Sequence, residues 1–305
     1  MFAPPRLVDT TVFATIPDKF RIRGRSNRWT DVQRGGAPTE CFLEGPSFDR
    51  AGNLYVVDVP WGRIFRIDPA GAVELFAEYD GEPNGLKIHQ DGRIFIADFR
   101  HGIMVLDPAS RVVTPVLERA ALDRFKGIND LVFASNGDLY FTDQGLTGLH
   151  DPSGCLYRLR ANGQLDRLLS NIPSPNGLVL NLAENAVFVN VTRGNCVWRV
   201  PLFPDGSAYK VGVFIQLSGG LGGPDGLAID QQGNLAVAHI GFGAVWLFSH
   251  LGEPLLRIRS CAGLATTNVA YGGPDARTLY ITESESGSVL QARLDVPGRT
   301  MYSHL

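Results

Sequence analysis

The 305-residue chain is short of charge, of sulfur and of long apolar runs. Charged residues make up only 19%, and 28 basic against 31 acidic side chains leave a formal charge of −3. A dedicated nucleic-acid binder carries a basic excess to neutralise phosphates, so no nucleic-acid partner is expected. No apolar run approaches the ~18 residues that a membrane helix needs, so no membrane partner is expected. The opening MFAPPRLVDTTVF has no basic stretch leading into an apolar one, so it does not read as a secretory signal, and a cytoplasmic location is the default expectation. The four cysteines, Cys41, Cys155, Cys196 and Cys261, form no CxxC pair and read as buried thiols rather than a zinc site or a disulfide framework. GxSxG and HExxH are both absent, which removes the serine-hydrolase elbow and the zincin. The glycine run Gly219 to Gly226 lacks the GK[ST] ending of a phosphate loop, and no helix follows it. Amphipathic helical windows are scarce.

Turn formers and short strands are plentiful. Glycine (35) and proline (19) together exceed their usual share, and 44% hydrophobic residues exclude a disordered chain. Runs such as NLYVVDV, RIFIADF, DLYFTDQ, AVFVNVT, NLAVAHI and TLYITES are rich in Val, Ile, Phe and Tyr and bounded by Gly, Asp and Asn. These are strand signals. The six runs sit in six similar contexts, each preceded by a polar anchor: Glu44, Asn84, Asn129, Asn176, Asp225 and Asn268, spaced 40, 45, 47, 49 and 43 residues apart. A period in the forties with four short strands per unit predicts an all-β, six-bladed β-propeller with four antiparallel strands per blade. The alternative, an open β-solenoid, uses shorter repeats. Too little chain follows Asn268 for a comfortable fourth strand, while VFATIPD near the start resembles the fourth-strand segment LFAEYDG of the first repeat. The N-terminal strand is therefore expected to complete the last blade and close the ring, which removes an open edge. This organises residues 1–305 as one propeller, with 1–43 as closing strand and connector and repeats starting near 44, 84, 129, 176, 225 and 268.

In a propeller the first strand of each blade lines the central channel, so the six anchors are expected to ring one mouth of it. One Asn before a strand does no more than make a turn hydrogen bond; six polar anchors converging on an axis suggest a site. The ring offers only oxygen donors, two carboxylates and four amides, a set that suits Ca²⁺ better than the reluctantly dehydrating Mg²⁺.

With LEGP at Leu43 to Pro46, GIND at Gly127 to Asp130, SPNGL at Ser174 to Leu178 and GPDGLAID at Gly223 to Asp230, the chain resembles the SMP-30/gluconolactonase/LRE-like family of six-bladed, calcium-dependent propeller hydrolases. NDLVFASNGDLYFTD, followed by DPSGCLYRL, is similar to the Drp35-type bacterial lactonases within it. The resemblance implies metal ligands at Glu44, Asn129, Asn176 and Asp225, with Ca²⁺ as the cofactor and Zn²⁺, Mn²⁺ or Mg²⁺ as other divalent occupants. It implies Asp130 as an acid/base residue. Asn84 and Asn268 match no family ligand clearly and are placed as substrate-binding residues or strand caps. The sugar-lactonase members carry an arginine two residues before the ligand Asn; this chain has Gly127 there, which bears on gluconolactone specificity. Related phosphotriesterase propellers use a second-site Asp where this chain has Ala228.

The expected chemistry is hydrolysis of a small-molecule lactone, with a cation polarising the carbonyl. Asp130 is first choice for base and Asp225 primarily a ligand, because a metal-bound carboxylate is a poor base; Asp225 as base or direct nucleophile is the alternative. A phosphotriesterase-like hydrolase and a non-catalytic NHL-type binding propeller are the alternatives; Ala228 speaks against the first, and the Glu44–Asp225 carboxylate pair against the second. His239, Asp98 and Glu283 at second-strand ends, with Trp61, Phe99 and Phe242 beside them, are candidate substrate contacts, His239 foremost. The series Asp58, Asp98 and Asp143 reads mainly as structural capping. Residues Lys19 to Arg34 hold six basic side chains and read as a solvated connector, the alternative being a lid that attracts an anionic substrate.

Overall fold

A computed structural model describes residues 3–305. The predicted all-β propeller is what forms: six blades of four antiparallel strands around a central channel. Each blade orders its strands in sequence from the axis outward. Blade 1, for example, runs Leu43–Phe48, Leu54–Asp58, Arg63–Ile67 and Val73–Glu78. The innermost strands of the other blades are Pro83–Ile88, Ile128–Phe133, Pro175–Leu180, Gly223–Ile229 and Thr266–Gly272. The ring closes as expected: Thr11–Thr15 pairs antiparallel with Ser288–Arg293 as the outer strand of blade 6. Just before it, Arg6–Asp9 pairs parallel with Pro254–Arg259 and gives blade 5 a fifth strand.

Alternation along each strand sends side chains to both faces of a blade, so every blade-to-blade interface is an apolar layer. Six such layers exist. Between blades 1 and 2 it comprises Tyr55, Val57, Ile64 and Phe76 against Leu86, Ile88, Ile96 and Met104. Between blades 6 and 1 it includes Leu43, Phe65, Tyr280 and Val289, with Ala14 of the closing strand packed in the same cluster. The chain end crosses the far mouth of the channel. Tyr302 stacks on Phe133 with ring centroids 4.9 Å apart, and Arg299 donates to the carbonyls of Leu180 and Asn181 at 3.2 and 3.3 Å. Cys41, Cys155 and Cys196 are buried free thiols, while Cys261 is exposed. Among the described residues no helix is long and apolar enough to cross a membrane.

The repeat has a structural signature that strand patterning alone does not show. Every innermost strand slips its pairing with the second strand at the same place, leaving a bulge at the anchor. The equivalent pairs before it are Leu43 with Asp58 (in blade 1 Glu44 still pairs with Val57), Pro83 with Asp98, Ile128 with Asp143, Pro175 with Val191, Pro224 with His239 and Thr266 with Glu283. The residue after each is therefore Glu44, Asn84, Asn129, Asn176, Asp225 and Thr267. This register corrects the sixth anchor: Thr267, not Asn268, is equivalent to the other five. Asn268 belongs to the next ring along the channel, with Gly45, Gly85, Asp130, Gly177 and Gly226.

That second ring is glycine at four of its six positions for steric reasons. A Cβ at Gly226 would collide with Asn268 Oδ1, and one at Gly85 would lie 2.7 Å from Asp130 Cα. One at Gly177 would stand 2.6 Å from the Asp225 carbonyl oxygen. The axis holds Asp130 from blade 3 and Asn268 from the opposite blade 6, which meet across it at 3.3 Å from Nδ2 to Oδ2. Gly85→Ala is expected to cost about 1–3 kcal/mol, the range for overpacking, as read by urea unfolding. A variant as stable as the parent would show that the axis has room to spare.

Candidate functional site

The bulges turn the anchor side chains toward the open mouth of the channel, where they floor a cavity of about 310 Å³. Glu44, Asn84, Asn129, Asn176 and Asp225 all line it. The four residues expected as metal ligands are thus brought together, with Asn84 beside them. The backbone under them is laced to neighbouring blades by polar side chains, two on second strands and one, Thr267, on the innermost strand of blade 6. Thr142 Oγ1 donates to the Asn176 carbonyl at 2.7 Å, Asn190 Nδ2 to the Asp225 carbonyl at 2.6 Å, and Thr267 Oγ1 to the Leu43 carbonyl at 2.7 Å. All three bonds are buried, where a satisfied polar network holds geometry firmly.

Glu44 and Asp225 are buried carboxylates, 3% and 6% exposed, and neither is in an ion pair with a Lys or Arg. Burial, with the Asp225 and Asp130 charges added, pushes Glu44 well above the ordinary carboxylate range. Burial, with Asp130 added, pushes Asp225 up to about 8, against an opposing hydrogen bond from Asn176 and the field of Arg193. Glu44 Oε2 accepts from Gly45 N–H and from Asn268 Nδ2, each at 2.8 Å. Asn129 Nδ2 donates to Gln144 Oε1 at 2.8 Å, which fixes that amide and leaves its oxygen free to face the cavity. Gln144 is held in turn by its own donation to Ser174 Oγ at 2.9 Å.

Among the described residues no three His, Cys, Asp or Glu side chains cluster as a ready-made metal site. The donor set at the floor is instead two carboxylates and amide oxygens. Two neighbouring buried acids that lack a cationic partner are unfavourable unless they bind a proton or a cation. The residues therefore fit a hard divalent cation of the kind that takes oxygen ligands.

The other expected site residues are placed as follows. Asp130 is buried beneath the floor and does not line the cavity: its Oδ1 accepts from Leu131 N–H at 2.8 Å, its Oδ2 from Asn268, and Lys87 Nζ stands 4.0 Å from it. Asn268 likewise lies beneath, joining Glu44 to Asp130. His239 is fully buried outside the cavity lining; it stacks on Phe242 at 4.8 Å and accepts through Nδ1 from Trp246 Nε1 at 3.2 Å. Burial lowers its pKa, so it is a neutral packing group beneath the glycine loop, where a Cβ on Gly220 would touch it. Asp98, Glu283, Trp61 and Phe242 also lie outside the lining, whereas Phe99 is part of it. The acids at this second-strand position hold the incoming connections: Asp58 accepts from Phe42 N–H, Asp98 from Glu82 N–H and Asp143 from Gly127 N–H. At Gly127 the Phe99 ring occupies the space a side chain would need, with Cε2 only 2.5 Å from a built Cβ. Ala228 lines the opposite cavity under the C-terminal segment.

Sequence reading missed Gln144, Arg193, Trp29, Gln33, Arg34 and Glu285, all of which line the cavity. Gln144 and Arg193 follow the second strands of blades 3 and 4, and that position in the repeat was the available signal. Trp29, Gln33 and Arg34 come from a helix, Arg28–Arg34, in the connector. A capping box starts it, Asn27 Oδ1 accepting from Thr30 N–H and Thr30 Oγ1 accepting from Asn27 N–H, and Gly35 at φ 60° ends it. Trp29 packs on Phe42 at 5.0 Å and seats the helix over the mouth.

The sequence profile of the SMP-30/Gluconolactonase/LRE-like region matches residues 42–285. The chain belongs to that family. It is similar to lactonase drp35 of Staphylococcus aureus strain USA300, 33% identical over 248 residues that cover 75% of this chain and 72% of that one. It is also similar to a gluconolactonase of Zymomonas mobilis, 31% identical over 278 residues that cover 80% and 77%. Among solved structures, regucalcin of Agrobacterium tumefaciens, described as a calcium-binding protein, superposes with a TM-score of 0.78 at 23% identity, covering 99% of this chain and all of that one. A Xanthomonas campestris gluconolactonase superposes with a TM-score of 0.74 at 22% identity, covering 95% and 98%. These two likenesses show the shared fold.

The carboxylate pair sets a pH dependence. Both acids bind protons more tightly folded than unfolded, so the stability they allow is full below about pH 4 and is lost as pH rises toward about 8, through the folded value of Asp225. The metal-free protein is expected to melt on the order of 5 °C lower at pH 8 than at pH 5 through this contribution, with Glu44→Gln and Asp225→Asn flattening the slope. Millimolar Ca²⁺ is expected to restore the loss at pH 8. A flat wild-type profile, with no effect of the cation, would remove the electrostatic reading.

Proposed function

We propose that this chain is a calcium-dependent lactonase. The observation that carries the reading is the buried, cation-free carboxylate pair Glu44 and Asp225, set with Asn129 and Asn176 at the floor of the cavity. The lactonase and gluconolactonase relatives support the reaction class, and the regucalcin neighbour is a calcium binder on the same fold. Glu44, Asn129, Asn176 and Asp225 would hold the cation, which when bound supplies Lewis-acid polarisation of the lactone carbonyl and stabilises the charge that develops there.

The chain's own groups do the rest. Asn84 and Gln144 line the walls and offer hydrogen bonds to ring oxygens. Phe99, Phe42 and Trp29 supply apolar walls that limit water around the ring. Water adds to the carbonyl carbon, the ring C–O bond breaks, and one proton passes from the water to the departing ring oxygen. Asp225 is the carboxylate we assign to that transfer, because it faces the cavity. Asp130 we assign as a positioning residue: its oxygens are engaged by Leu131 N–H and Asn268, and through Asn268 it fixes Glu44.

The test is hydrolysis of a lactone panel of sugar γ- and δ-lactones, dihydrocoumarin and alkyl lactones, by calcium-loaded and chelator-treated protein. Activity restored by Ca²⁺ is expected, with Asn176→Ala and Asp225→Asn lowering kcat by about 10²-fold or more. Asp130→Asn is expected to have a smaller effect on kcat than Asp225→Asn. Hydrolysis that ignores the chelator would overturn the metal assignment, and absence of turnover on every lactone would overturn the reaction class.

A further inference from the structure

The connector that reads as a basic stretch in sequence is largely neutralised in the folded protein, with one exception. Arg21 and Arg23 pair with Glu40 and Asp18, and Arg28 pairs with Glu82 at 2.7 Å. Arg25 lies over the Trp61 ring and Lys19 over Phe20. Arg34 alone of the six has no ion pair, no side-chain hydrogen bond and no aromatic face, and it lines the cavity. Blade 4 contributes Arg193 to the same lining, and its guanidinium is equally without a hydrogen bond or ion pair. Two uncommitted guanidinium groups from separate elements therefore border a cavity whose floor is acidic. Glu285 is the one carboxylate on the upper wall, and its Oε2 already accepts from Leu264 N–H at 2.7 Å.

A cation bound at the floor cancels the charge of Glu44 and Asp225. What remains over the substrate is then the positive field of Arg34 and Arg193, with Glu285 against it. Guanidinium groups are suited to oxyanions because their donors fork onto two oxygens at once. At 310 Å³ the cavity lies at the small end of the range for small-molecule sites, which runs from about 300 Å³. A ring on the floor accordingly leaves a short substituent within reach of the walls. The side chain of Gly127 is missing and Phe99 fills its place, so no guanidinium reaches the ring from that position.

We propose that the lactones this site selects carry an anionic substituent, a carboxylate or a phosphate ester, bound by Arg34 and Arg193 while the ring carbonyl faces Glu44, Asn129, Asn176 and Asp225. The inference rests on the lactonase reading and adds the substrate class. The interaction is with a part of the substrate remote from the reacting carbon, so it acts mainly on KM.

The experiment compares kcat/KM on D-glucono-1,5-lactone (neutral), D-glucaro-1,4-lactone (carboxylate) and 6-phospho-D-glucono-1,5-lactone (phosphate), for wild type, Arg34→Gln, Arg193→Gln and the double variant. Both arginines are exposed and bond to no protein group, so the substitutions leave the fold intact. Wild type is expected to prefer at least one anionic lactone by about tenfold or more, with each substitution costing roughly tenfold on that lactone and the double variant bringing the ratio to the neutral lactone near one. The preference is expected to shrink in 0.5 M NaCl. Which anionic arm is preferred identifies the oxyanion. A neutral lactone hydrolysed as well as both anionic ones, or a preference that the double variant keeps, overturns the inference while leaving the lactonase reading in place. Should no lactone turn over, that reading fails, and calorimetry of D-gluconate against neutral D-glucitol decides the anion site: tighter gluconate binding that the double variant abolishes supports it, and equal binding overturns it.

Discussion

Six innermost strands converge on one axis, and there is room there for only two side chains. Much of the site follows from that crowding. Four of the six positions in the inner ring are glycine, and the other two, Asp130 and Asn268, reach across from opposite blades to meet at 3.3 Å. With the axis filled, the ring of anchors one residue outward cannot pack inward. At five of the six anchors the side chain is directed to the mouth, where Glu44, Asn84, Asn129, Asn176 and Asp225 form a floor; Thr267 bonds instead to the Leu43 carbonyl. Asn268 ties the two rings together by donating to Glu44 at 2.8 Å.

The floor carries an electrostatic debt that the chain does not settle with its own cations. Elsewhere a buried acid is either paired, as Asp58 is with Arg63, or held by backbone N–H groups, as Asp98 and Asp143 are. Glu44 and Asp225 have no Lys or Arg partner among the described residues and face each other's like charge. Leaving a like-charged pair unpaired costs stability in the metal-free protein. A divalent cation bound as proposed would recover that cost as binding energy, and the same desolvation that raises the carboxylate pKa values would strengthen their hold on it. The connector shows the reverse: Arg21, Arg23 and Arg28 pair with Glu40, Asp18 and Glu82, and Arg34 is left over the mouth.

Much of this was legible in the residues. The period in the forties, the polar anchors and the N-terminal strand that completes blade 6 are all visible in sequence, because strand patterning and turn residues are local signals. The sixth repeat was misread by one residue, since TTNVAYGG offers a polar residue at two successive positions and only the pairing of Thr266 with Glu283 fixes the register. His239 was drawn into the candidate site by its place at a second-strand end; in three dimensions that position points under the incoming connection, which is also where Asp58, Asp98 and Asp143 work. Asp130 sits next to an anchor in sequence, yet the bulge sends it to the other ring. Arg34 could not be separated from its five basic neighbours without knowing which acids they meet, one of them, Glu82, beyond the connector. Loop-borne residues such as Gln144 and Arg193 depend on conformations that no period encodes.

The central claim is that the mouth of the channel holds two carboxylates poised to exchange protons for a divalent cation. Calorimetric titration of Ca²⁺ into chelator-treated protein at pH 7, repeated in buffers of different ionisation enthalpy, counts the protons released on binding. The account predicts binding with release of about one proton, reduced by Asp225→Asn. Binding with no proton release, or no binding at all, would contradict it.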